Sequence, residues 1–459
     1  MGCAAATLRI HLTKLRVHAP SAALAGLALR FYFAWRFPYH ASGDTPVYEE
    51  LARNWLEHGI YGLRVAGRLE PADIRMPGYP AFLAAAYTAF GPSVMAVMLT
   101  QGVLDVVACF FVAALAALVA PEASRKRVAV AALWLGALCP FTANYTATVL
   151  TESLATASTA LALLLLVAHE TRPANGFSLA AGFVTGLATL VRPESPLLVI
   201  AAIPVLVARW WRPADWRALF QAVALITVGL MVPLAPWAAR NAITLHELRF
   251  LAPRYSELPS EYAPRGFFSW TATWLWRFSE VESVSWKLDD ETIHIEDIPP
   301  RAFDSAAERQ RVSELLGEYD RTSRITPAVD AGFAEIARQK TVQHPLRTYL
   351  SIPTLRAWTM WFTPRVEMLP AAEFLWPIGA AWENDPEGFC LTVGLAALNV
   401  VTIAMAIAGA WRARSERATA YLISFIMLRT AFLTTALAPE PRYVLECFPA
   451  VLALAAQLW

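Results

Sequence analysis

SAALAGLALRFYFAW (residues 21–35), followed closely by GDTPVYEELARNWLEHGIYG (residues 43–62), is an apolar stretch that leads into an amphipathic one. No small-residue cleavage site follows the apolar stretch, so we expect a retained membrane span. In the amphipathic stretch, Pro46 suits the first position of a helix, and Thr45 or Asp44 can cap it. Apolar residues recur on one side of this helix and charged residues on the other. The sequence therefore predicts an interfacial helix on the outer membrane surface, with Asp44 near the lipid headgroups.

The composition predicts a polytopic membrane protein. Of the 459 residues, 57% are hydrophobic and 16% are charged, against about 25% charged residues in soluble domains. The net charge of +1 argues against a nucleic-acid partner. We expect an all-α fold with about ten transmembrane helices of about 20 apolar residues each. Residues 78–91 are too short to span alone, so we expect them to lie at the interface or to dip into the membrane. The predicted spans are residues 19–35, 92–120, 127–143, 152–168, 177–191, 195–209, 218–238, 389–410, 417–437 and 443–459.

The distribution of Lys and Arg predicts the orientation, because cytoplasmic loops carry an excess of both. A cytoplasmic N-terminus leaves Arg192 and Arg442 in the short outer connections and places the other clusters inside. The predicted inner residues are Arg9, Lys14, Arg16, Arg125, Lys126, Arg127, Arg172, Arg209, Arg212, Arg217, Arg412, Arg414 and Arg417. Arg far outnumbers Lys and Ala is abundant, which is typical of a GC-rich bacterium and favours its inner (plasma) membrane.

This topology divides the chain into three parts. Residues 1–240 form an N-terminal transmembrane module that includes the first outer loop, residues 36–91. Residues 241–388 form a small α-rich extracytoplasmic or interfacial domain, and residues 389–459 form C-terminal transmembrane helices. Within the outer domain, the Pro-interrupted amphipathic stretch at residues 344–362 is expected to lie on the membrane surface.

Polar residues at membrane depth are candidates for a functional site. Asp105 lies in the middle of a predicted span, where a carboxylate is costly; it either lines a site or, with Gln101, cross-links neighbouring helices. The turn at Arg192 and Glu194 joins two helices of about 15 residues, roughly 22 Å each. These are shorter than the ~30 Å hydrocarbon core, so we expect the turn to be sunk toward the bilayer. There it either lines a cavity, which we favour, or is a plain salt-bridged turn.

Further candidates lie at the outer ends of the predicted spans. RMPGYP returns the chain to the membrane and carries Arg75, LTES carries Glu152, PWAARN carries Arg240, and EPRYVLE carries Arg442 and Tyr443. Asp44 itself has two interpretations on sequence alone, a functional carboxylate held at the headgroups or a simple helix cap.

Several common signatures do not occur in the sequence. It has no GxGxxG or Walker loop, no HExxH, no GxSxG and no Cys/His cluster with ligand spacing. We therefore predict no nucleotide cofactor and no metal, and catalysis that does not depend on a metal ion.

The quoted stretches together resemble a known superfamily. A retained first span followed by GDTPVYEELARNWLEHGIYG and RMPGYPAFLAAAYTAFG is similar to the start of integral-membrane glycosyltransferases of the GT-C superfamily. The likeness is to the lipid A aminoarabinose transferases, the protein O-mannosyltransferases and related bacterial enzymes that act on lipopolysaccharide. LTES, LVRPES, PWAARN, IARQKTVQHPLRTYL and PRYVLECFPAVLALAA resemble later landmarks in the same order.

The resemblance implies roles for particular residues. An acidic residue in the first outer loop is the catalytic base of these families, and Asp44 occupies that position. Protein O-mannosyltransferases have Glu directly after this Asp, whereas this chain has Thr45, which favours a lipid or glycan acceptor over a protein one. The expected function is an inverting transfer of a sugar from a polyprenyl-phosphate carrier to an acceptor hydroxyl on the extracytoplasmic face of the membrane.

The topology favours the same donor on independent grounds. Nucleotide sugars stay in the cytosol, so an enzyme on the outer face needs its sugar delivered on a lipid. An Asp is ionised at neutral pH, because its ordinary pKa is about 3.9, and can accept the proton of the attacking hydroxyl. The leaving phosphate gains charge, so Arg75, Arg192, Arg240 and Arg442, with Tyr443, are candidates to bind it. Glu152 is a candidate to position the acceptor or to pair with one of these arginines, and Glu194 and Asp105 are candidates to line the site.

Two other functions compete with this prediction. A transporter or flippase of a lipid-linked sugar would share the polar residues at membrane depth but has no need of Asp44, and we find no inverted repeat. A non-catalytic scaffold would bind a partner through residues 239–388 and would also leave Asp44 without a role.

Overall fold

The structure is a computed structural model that describes residues 2–38, 43–171, 173–209, 216–253, 255, 262–288, 291–322, 324–364, 367–372 and 375–459. Side chains are described from residue 18 onward, except at residue 209. Arg172 and Arg212 of the predicted inner loops lie outside the described residues, as do the side chains of Arg9, Lys14, Arg16 and Arg209.

The chain divides into two compact units, which are described separately. The first unit comprises Met1–Arg254, Arg365–Leu428 and Leu445–Trp459, and the second comprises Tyr255–Pro364 and Arg429–Val444.

The first half of the chain is helical apart from one hairpin. Its elements are α1 (Gly2–Arg36), α2 (Asp44–His58), β1 (Gly62–Val65), β2 (Arg68–Pro71), α3 (Gly78–Phe90), α4 (Val94–Val119), α5 (Arg125–Ala137), α6 (Pro140–Tyr145), α7 (Glu152–Thr171), α8 (Asn175–Val191), α9 (Leu197–Arg209) and α10 (Trp216–Thr244).

The second half is also helical. Its α-helices are α11 (Arg265–Ala272), α12 (Phe278–Glu280), α13 (Ala306–Thr322), α14 (Pro327–Gln343), α15 (Ile352–Phe362), α16 (Ile378–Asn384), α17 (Pro386–Arg412), α18 (Arg417–Leu433) and α19 (Phe448–Ala455). Short π-helices cover Val281–Ser285 and Arg347–Ser351, and 3₁₀ turns cover Pro300–Ala302, Pro441–Cys447 and Ala456–Leu458.

Among the described residues, four helices are long and apolar enough to cross a membrane: α4, α7, α10 and α17. Each predicted span falls on a helical segment, and the predicted number of ten spans stays a prediction. The segment predicted to span at residues 127–143 is interrupted, because Cys139 is extended before Pro140 starts α6. A proline has no N–H to continue the helix and disfavours helical backbone at the residue before it.

The predicted first outer loop forms a compact layer of α2, a hairpin and α3. Tyr48 and Ala52 of α2 pack with Tyr79 and Leu83 of α3 in one buried cluster. The expectation of an all-α fold overlooked the antiparallel hairpin β1–β2, which pairs Val65 with Arg68. Its turn uses positive φ at Ala66 and Gly67, the geometry that matches the twist of a two-residue hairpin.

The second unit has its own hydrophobic core, built from α11, α13 and α14 and the chain around them. Phe267 and Trp270 of α11 are fully buried and contact Phe333 of α14, with ring centroids 5.2 and 5.0 Å apart. The charged helix α13 buries Val312 and Leu316 against this core. The amphipathic stretch at residues 344–362 is helical, and its position on a membrane surface stays a prediction.

Candidate active site

Asp44 is the first residue of α2. Gly43 precedes it in the cap position, with φ of +76°, a backbone conformation that favours glycine. Asp44 therefore belongs to the first helical turn, and the prediction that Asp44 or Thr45 is the cap residue is wrong. Its carboxylate lies at the positive end of the helix dipole, which stabilises the ionised form.

Arg75 is the partner of Asp44. Its Nη2 donates to Oδ1 of Asp44 at 2.7 Å, and both side chains are partly exposed, at 25% and 31%. The backbone carbonyl of Arg75 accepts a hydrogen bond from the hydroxyl of Tyr61 at 2.9 Å, and burial raises the pKa of Tyr61 well above its ordinary value. Arg75 is thus held by its backbone while its guanidinium reaches a carboxylate that solvent can also reach.

Arg192 lies between two buried carboxylates. Its Nη2 donates to Oε1 of Glu152 at 2.7 Å, and its Nε lies 3.7 Å from Oε1 of Glu446. Glu152 opens α7 and Arg192 follows the end of α8, so each charge suits the dipole of its helix. Glu194 is close enough to act electrostatically on the same guanidinium.

Two close contacts bring these pairs together. Thr45, next to Asp44, donates to the carbonyl of Val149 at 2.9 Å, three residues before Glu152. Gly78, three residues after Arg75, lies so close to Leu190 that an added Cβ would come within 2.5 Å of its carbonyl oxygen. The first contact joins α2 to the start of α7, and the second joins the Arg75 turn to the end of α8.

Tyr48 lies close enough to the charged residues of both ion pairs to interact with them electrostatically. Burial raises its pKa to about 12, so the phenol stays protonated at neutral pH. The charged groups that act on the phenol are those of both ion pairs, Asp44 with Arg75 and Glu152 with Arg192. Tyr48 was not among the residues predicted for the site, although its spacing of four from Asp44 puts both on one side of the helix.

Gln101 of α4 makes hydrogen bonds that hold the chain next to the two ion pairs. Its side-chain oxygen accepts from the hydroxyl of Tyr79 at 2.7 Å, and its Nε2 donates to the carbonyl of Thr148 at 2.6 Å. The buried chain between α6 and α7 is thereby fixed just ahead of Glu152. Gln101 is a structural support for this loop.

Arg240 supports the hairpin. Its guanidinium donates to the carbonyls of Tyr61 at 2.5 Å and Ala72 at 2.9 Å, and it stacks 5.3 Å from the ring of Trp237. Beside it is a cavity of about 490 Å³. Aromatic and proline side chains dominate its lining, including Trp55, Tyr61, Pro77, Pro236 and Trp237.

Arg442 and Tyr443 lie in the second unit, where both contact a buried glutamate. Arg442 donates from Nε to Glu440 at 2.6 Å, and the hydroxyl of Tyr443 donates to the other oxygen of Glu440 at 2.5 Å. The two residues therefore form an Arg–Glu–Tyr cluster within that unit.

Asp105 forms a sealed ion pair with a residue that sequence reasoning overlooked. Nε and Nη2 of Arg30 donate to Oδ2 of Asp105 at 2.9 and 2.6 Å, and Nη1 donates to the carbonyl of Ala137 at 2.5 Å. Both side chains are buried. Of the two interpretations of Asp105, this geometry favours a cross-link between α1, α4 and α5. The signal in the sequence was Arg30 itself, a charge inside the first predicted span.

The fold and the site define a helical membrane protein in which Asp44, at the start of α2, and Glu152, at the start of α7, each pair with an arginine. Residues 73–237 match the family model described as dolichyl-phosphate-mannose-protein mannosyltransferase. Over these residues the match bears out the resemblance to the GT-C superfamily of membrane glycosyltransferases. Among curated protein sequences, none matches the chain.

Solved structures extend the likeness over the whole chain. The oligosaccharyltransferase AglB from Archaeoglobus fulgidus matches with a TM-score of 0.50 at 15% identity, over 98% of this chain and 50% of its own. The chain thus spans about half the length of AglB, and the likeness shows a shared fold. ArnT from Cupriavidus metallidurans matches with a TM-score of 0.39 at 13% identity, over 97% of this chain and 78% of its own.

Within the part of the chain that the structure describes, no group of three or more His, Cys, Asp or Glu side chains is arranged to hold a metal ion. The carboxylates of the site are instead close to arginines.

Proposed function

We propose that the protein is an inverting glycosyltransferase that moves a sugar from a polyprenyl-phosphate carrier to an acceptor hydroxyl on the extracytoplasmic face of the membrane. The observation that carries the proposal is the Asp44–Arg75 pair, joined at 2.7 Å at the head of α2 and accessible to solvent. A catalytic carboxylate must be reachable by the acceptor and held in position, and this pair meets both conditions.

Asp44 is the proposed catalytic base. As the acceptor oxygen forms its bond to the anomeric carbon, the bond from that carbon to the phosphate oxygen breaks and the acceptor proton passes to Asp44. A second carboxylic acid is unnecessary, because the phosphate leaves without protonation, unlike the alcohol in a glycosidase. The α2 dipole and Arg75 stabilise the charged form of the carboxylate that accepts the proton.

Arg75 and Arg192 are the proposed ligands of the leaving phosphate. Negative charge grows on the phosphate in the transition state, and a guanidinium stabilises it through two parallel hydrogen bonds. Both arginines act electrostatically on Tyr48, which supports a common site. Glu152 and Glu446 hold Arg192 in place, while Glu152 and Glu194 remain candidates to line the acceptor side.

Arg240 and the apolar cavity beside it are proposed to receive the start of the polyprenyl chain. The cavity of about 490 Å³ combines aromatic walls with a cation at its rim, a suitable composition for an apolar chain that ends in a phosphate. The family description names a dolichyl-phosphate sugar, and AglB has been solved with dolichol-phosphate and an inhibitory peptide. Arg442 and Tyr443 are kept as further phosphate-binding candidates, and Asp105 is the weakest site candidate.

The proposed setting is a multi-pass protein of a bacterial inner membrane, with the site on the outer face. Thr45 after Asp44 favours a lipid or glycan acceptor, such as lipopolysaccharide or another cell-envelope glycan, over a protein. The proposal includes no cofactor and no metal, so activity should survive treatment with a chelator.

The decisive experiment uses the Asp44→Asn variant of the full-length protein in detergent. A panel of polyprenyl-phosphate sugars is supplied with a membrane extract as acceptor, and release of polyprenyl phosphate is measured. Removal of a general base is expected to lower kcat by about 100-fold or more. The thermal unfolding temperature should not change, because the Asp44–Arg75 pair is partly exposed.

Asp73→Asn is the matched control, since Asp73 lies in the same outer loop and pairs with Arg249 at 3.1 Å. It should retain nearly full activity. Equal activity of wild type and Asp44→Asn would refute the proposed mechanism. Movement of the donor across a vesicle membrane without release of polyprenyl phosphate would instead identify a transporter.

A further inference from the structure

A second cavity lies in the first unit, far from Asp44 along the helices. It has a volume of about 710 Å³, within the range of about 300–1,000 Å³ typical of ligand sites. α4 begins near the candidate active site, where Gln101 supports the Thr148 loop, and ends at Val119, about 39 Å away along its axis. The cavity begins at the following turn, at Lys126, and so lies at the opposite membrane face.

The cavity has one cationic end and one apolar end. Lys126 and Arg127, at the start of α5, line the first, and Leu135 and Leu138 line the second. Among the residues that the structure describes, neither Lys126 nor Arg127 has a carboxylate within ion-pair distance, unlike Arg75 or Arg192. Leu138 is 52% exposed, so the apolar end is open at the protein surface.

The dimensions of the cavity match one leaflet. Lys126 and Leu138 are twelve residues apart, or about 18 Å along a helix, and half of the hydrocarbon core is about 15 Å. Between them, Nε1 of Trp134 donates to Nδ1 of His18 at 3.2 Å, so that the indole is held in the cavity wall. A membrane lipid has a polar headgroup above apolar acyl chains. A cation at headgroup level above an apolar cleft of this depth therefore matches the shape and polarity of one lipid molecule.

We propose that this cavity binds an anionic phospholipid of the leaflet opposite the candidate active site. The headgroup phosphate contacts Lys126 and Arg127, and one acyl chain occupies the cleft along Trp134 and Leu138. Charge complementarity selects an anionic headgroup, since basic cavities between membrane helices on the cytoplasmic side bind such lipids. The lipid site is independent of the glycosyl-transfer reaction proposed above.

Native mass spectrometry of the detergent-purified full-length protein tests the proposal, with phosphatidylglycerol and phosphatidylcholine as probes. Wild type should bind one phosphatidylglycerol more tightly than phosphatidylcholine. The double variant Lys126→Ala/Arg127→Ala should weaken phosphatidylglycerol binding about thirtyfold, because each basic residue near an anionic surface contributes about fivefold. Ala131→Phe fills the cavity without a change of charge and should also lose the bound lipid.

Two controls separate this site from general lipid adhesion. Arg412→Ala/Arg414→Ala removes two exposed charges at and just after the end of α17. Val107→Phe introduces the same side chain as Ala131→Phe at an exposed position of α4 outside the cavity. Both should bind like wild type. Equal affinity for the two lipids, unchanged binding in both cavity variants, or displacement of phosphatidylglycerol by stoichiometric undecaprenyl phosphate would overturn the proposal.

Discussion

Two arginine–aspartate pairs in the first unit have nearly the same geometry and opposite surroundings. Arg75–Asp44 and Arg30–Asp105 have N–O distances of 2.7 and 2.6 Å. The first pair is partly exposed at the head of a surface helix, whereas the second is sealed between helices and satisfied by backbone carbonyls. A charge that solvent and substrate can reach is able to act on a substrate, whereas a sealed charge acts on the packing around it.

The sealed pair should show the largest effect on stability. Arg30→Met leaves the Asp105 carboxylate buried without its main partner, and breaking a buried pair in this way costs about 3–5 kcal/mol. We expect a marked fall in thermal unfolding temperature in detergent, and near-normal activity for the protein that remains folded. The double variant Arg30→Met/Asp105→Leu should recover much of the loss. A stable Arg30→Met protein without activity would move Asp105 back into the functional site.

The exposed pair should show the reverse pattern. Arg75→Gln removes a cation from the proposed leaving phosphate, and loss of one such donor costs about 100-fold in kcat, or about 2.7 kcal/mol. Its unfolding temperature should stay within a degree or two of wild type, since exposed pairs contribute about 0–1 kcal/mol. Arg75→Lys keeps the charge and should recover part of the rate. A large loss of stability with little loss of rate would make Arg75 a structural residue.

An ion cluster in the second unit tests whether partial exposure by itself indicates function. Asp304 accepts from Arg347 at 2.6 Å and lies 3.0 Å from Nζ of Lys340. The Arg347 hydrogen bonds lower the pKa of Asp304 from 3.8 to about 2, against the effect of burial. Asp304 is exposed and solvent screens the interaction, so we expect it to add about 1 kcal/mol or less to the free energy of unfolding.

The lowered pKa of Asp304 determines the pH range in which this residue stabilises the folded protein. Because the folded-state pKa is lowered, the stabilisation is present above pH 3.8 and is lost as the pH falls through about 2. Asp304→Asn should therefore lower the unfolding temperature at pH 7 and narrow its difference from wild type towards pH 3. Activity per folded molecule should not change. A specific loss of activity would show that the cluster takes part in function.

The smallest effect is expected at the Arg53–Glu49 pair, one helical turn apart on α2. Arg53 is 54% exposed and 3.7 Å from the carboxylate, and pairs of this kind contribute about 0.3–0.5 kcal/mol. Arg53→Ala should leave both unfolding temperature and donor turnover within experimental error. A loss of turnover comparable with that of Asp44→Asn would mean that all of α2, and not its first turn, supports the reaction.

Much of the fold was predictable from the sequence, because hydrophobic segments and their flanking charges depend on local composition. The helices at the predicted spans, the amphipathic α2 and the helical α13 follow from the periodicity of their own residues. The hairpin at residues 62–71 was not predicted, since Ala66 at positive φ is an unusual turn residue and the strands are short. The resemblance, carried by several weak motifs in one order, agrees with the family model that matches residues 73–237.

Which charges meet was decided by tertiary structure. By itself, the sequence determined that acidic and basic residues lie at membrane depth and at helix ends, because such placement is costly and visible in one dimension. It could not determine that Asp44 contacts Arg75, that Arg192 lies between Glu152 and Glu446, or that Asp105 pairs with Arg30. Those partners are 31, 40, 254 and 75 residues apart, and packing of whole helices brings them within hydrogen-bond or ion-pair distance.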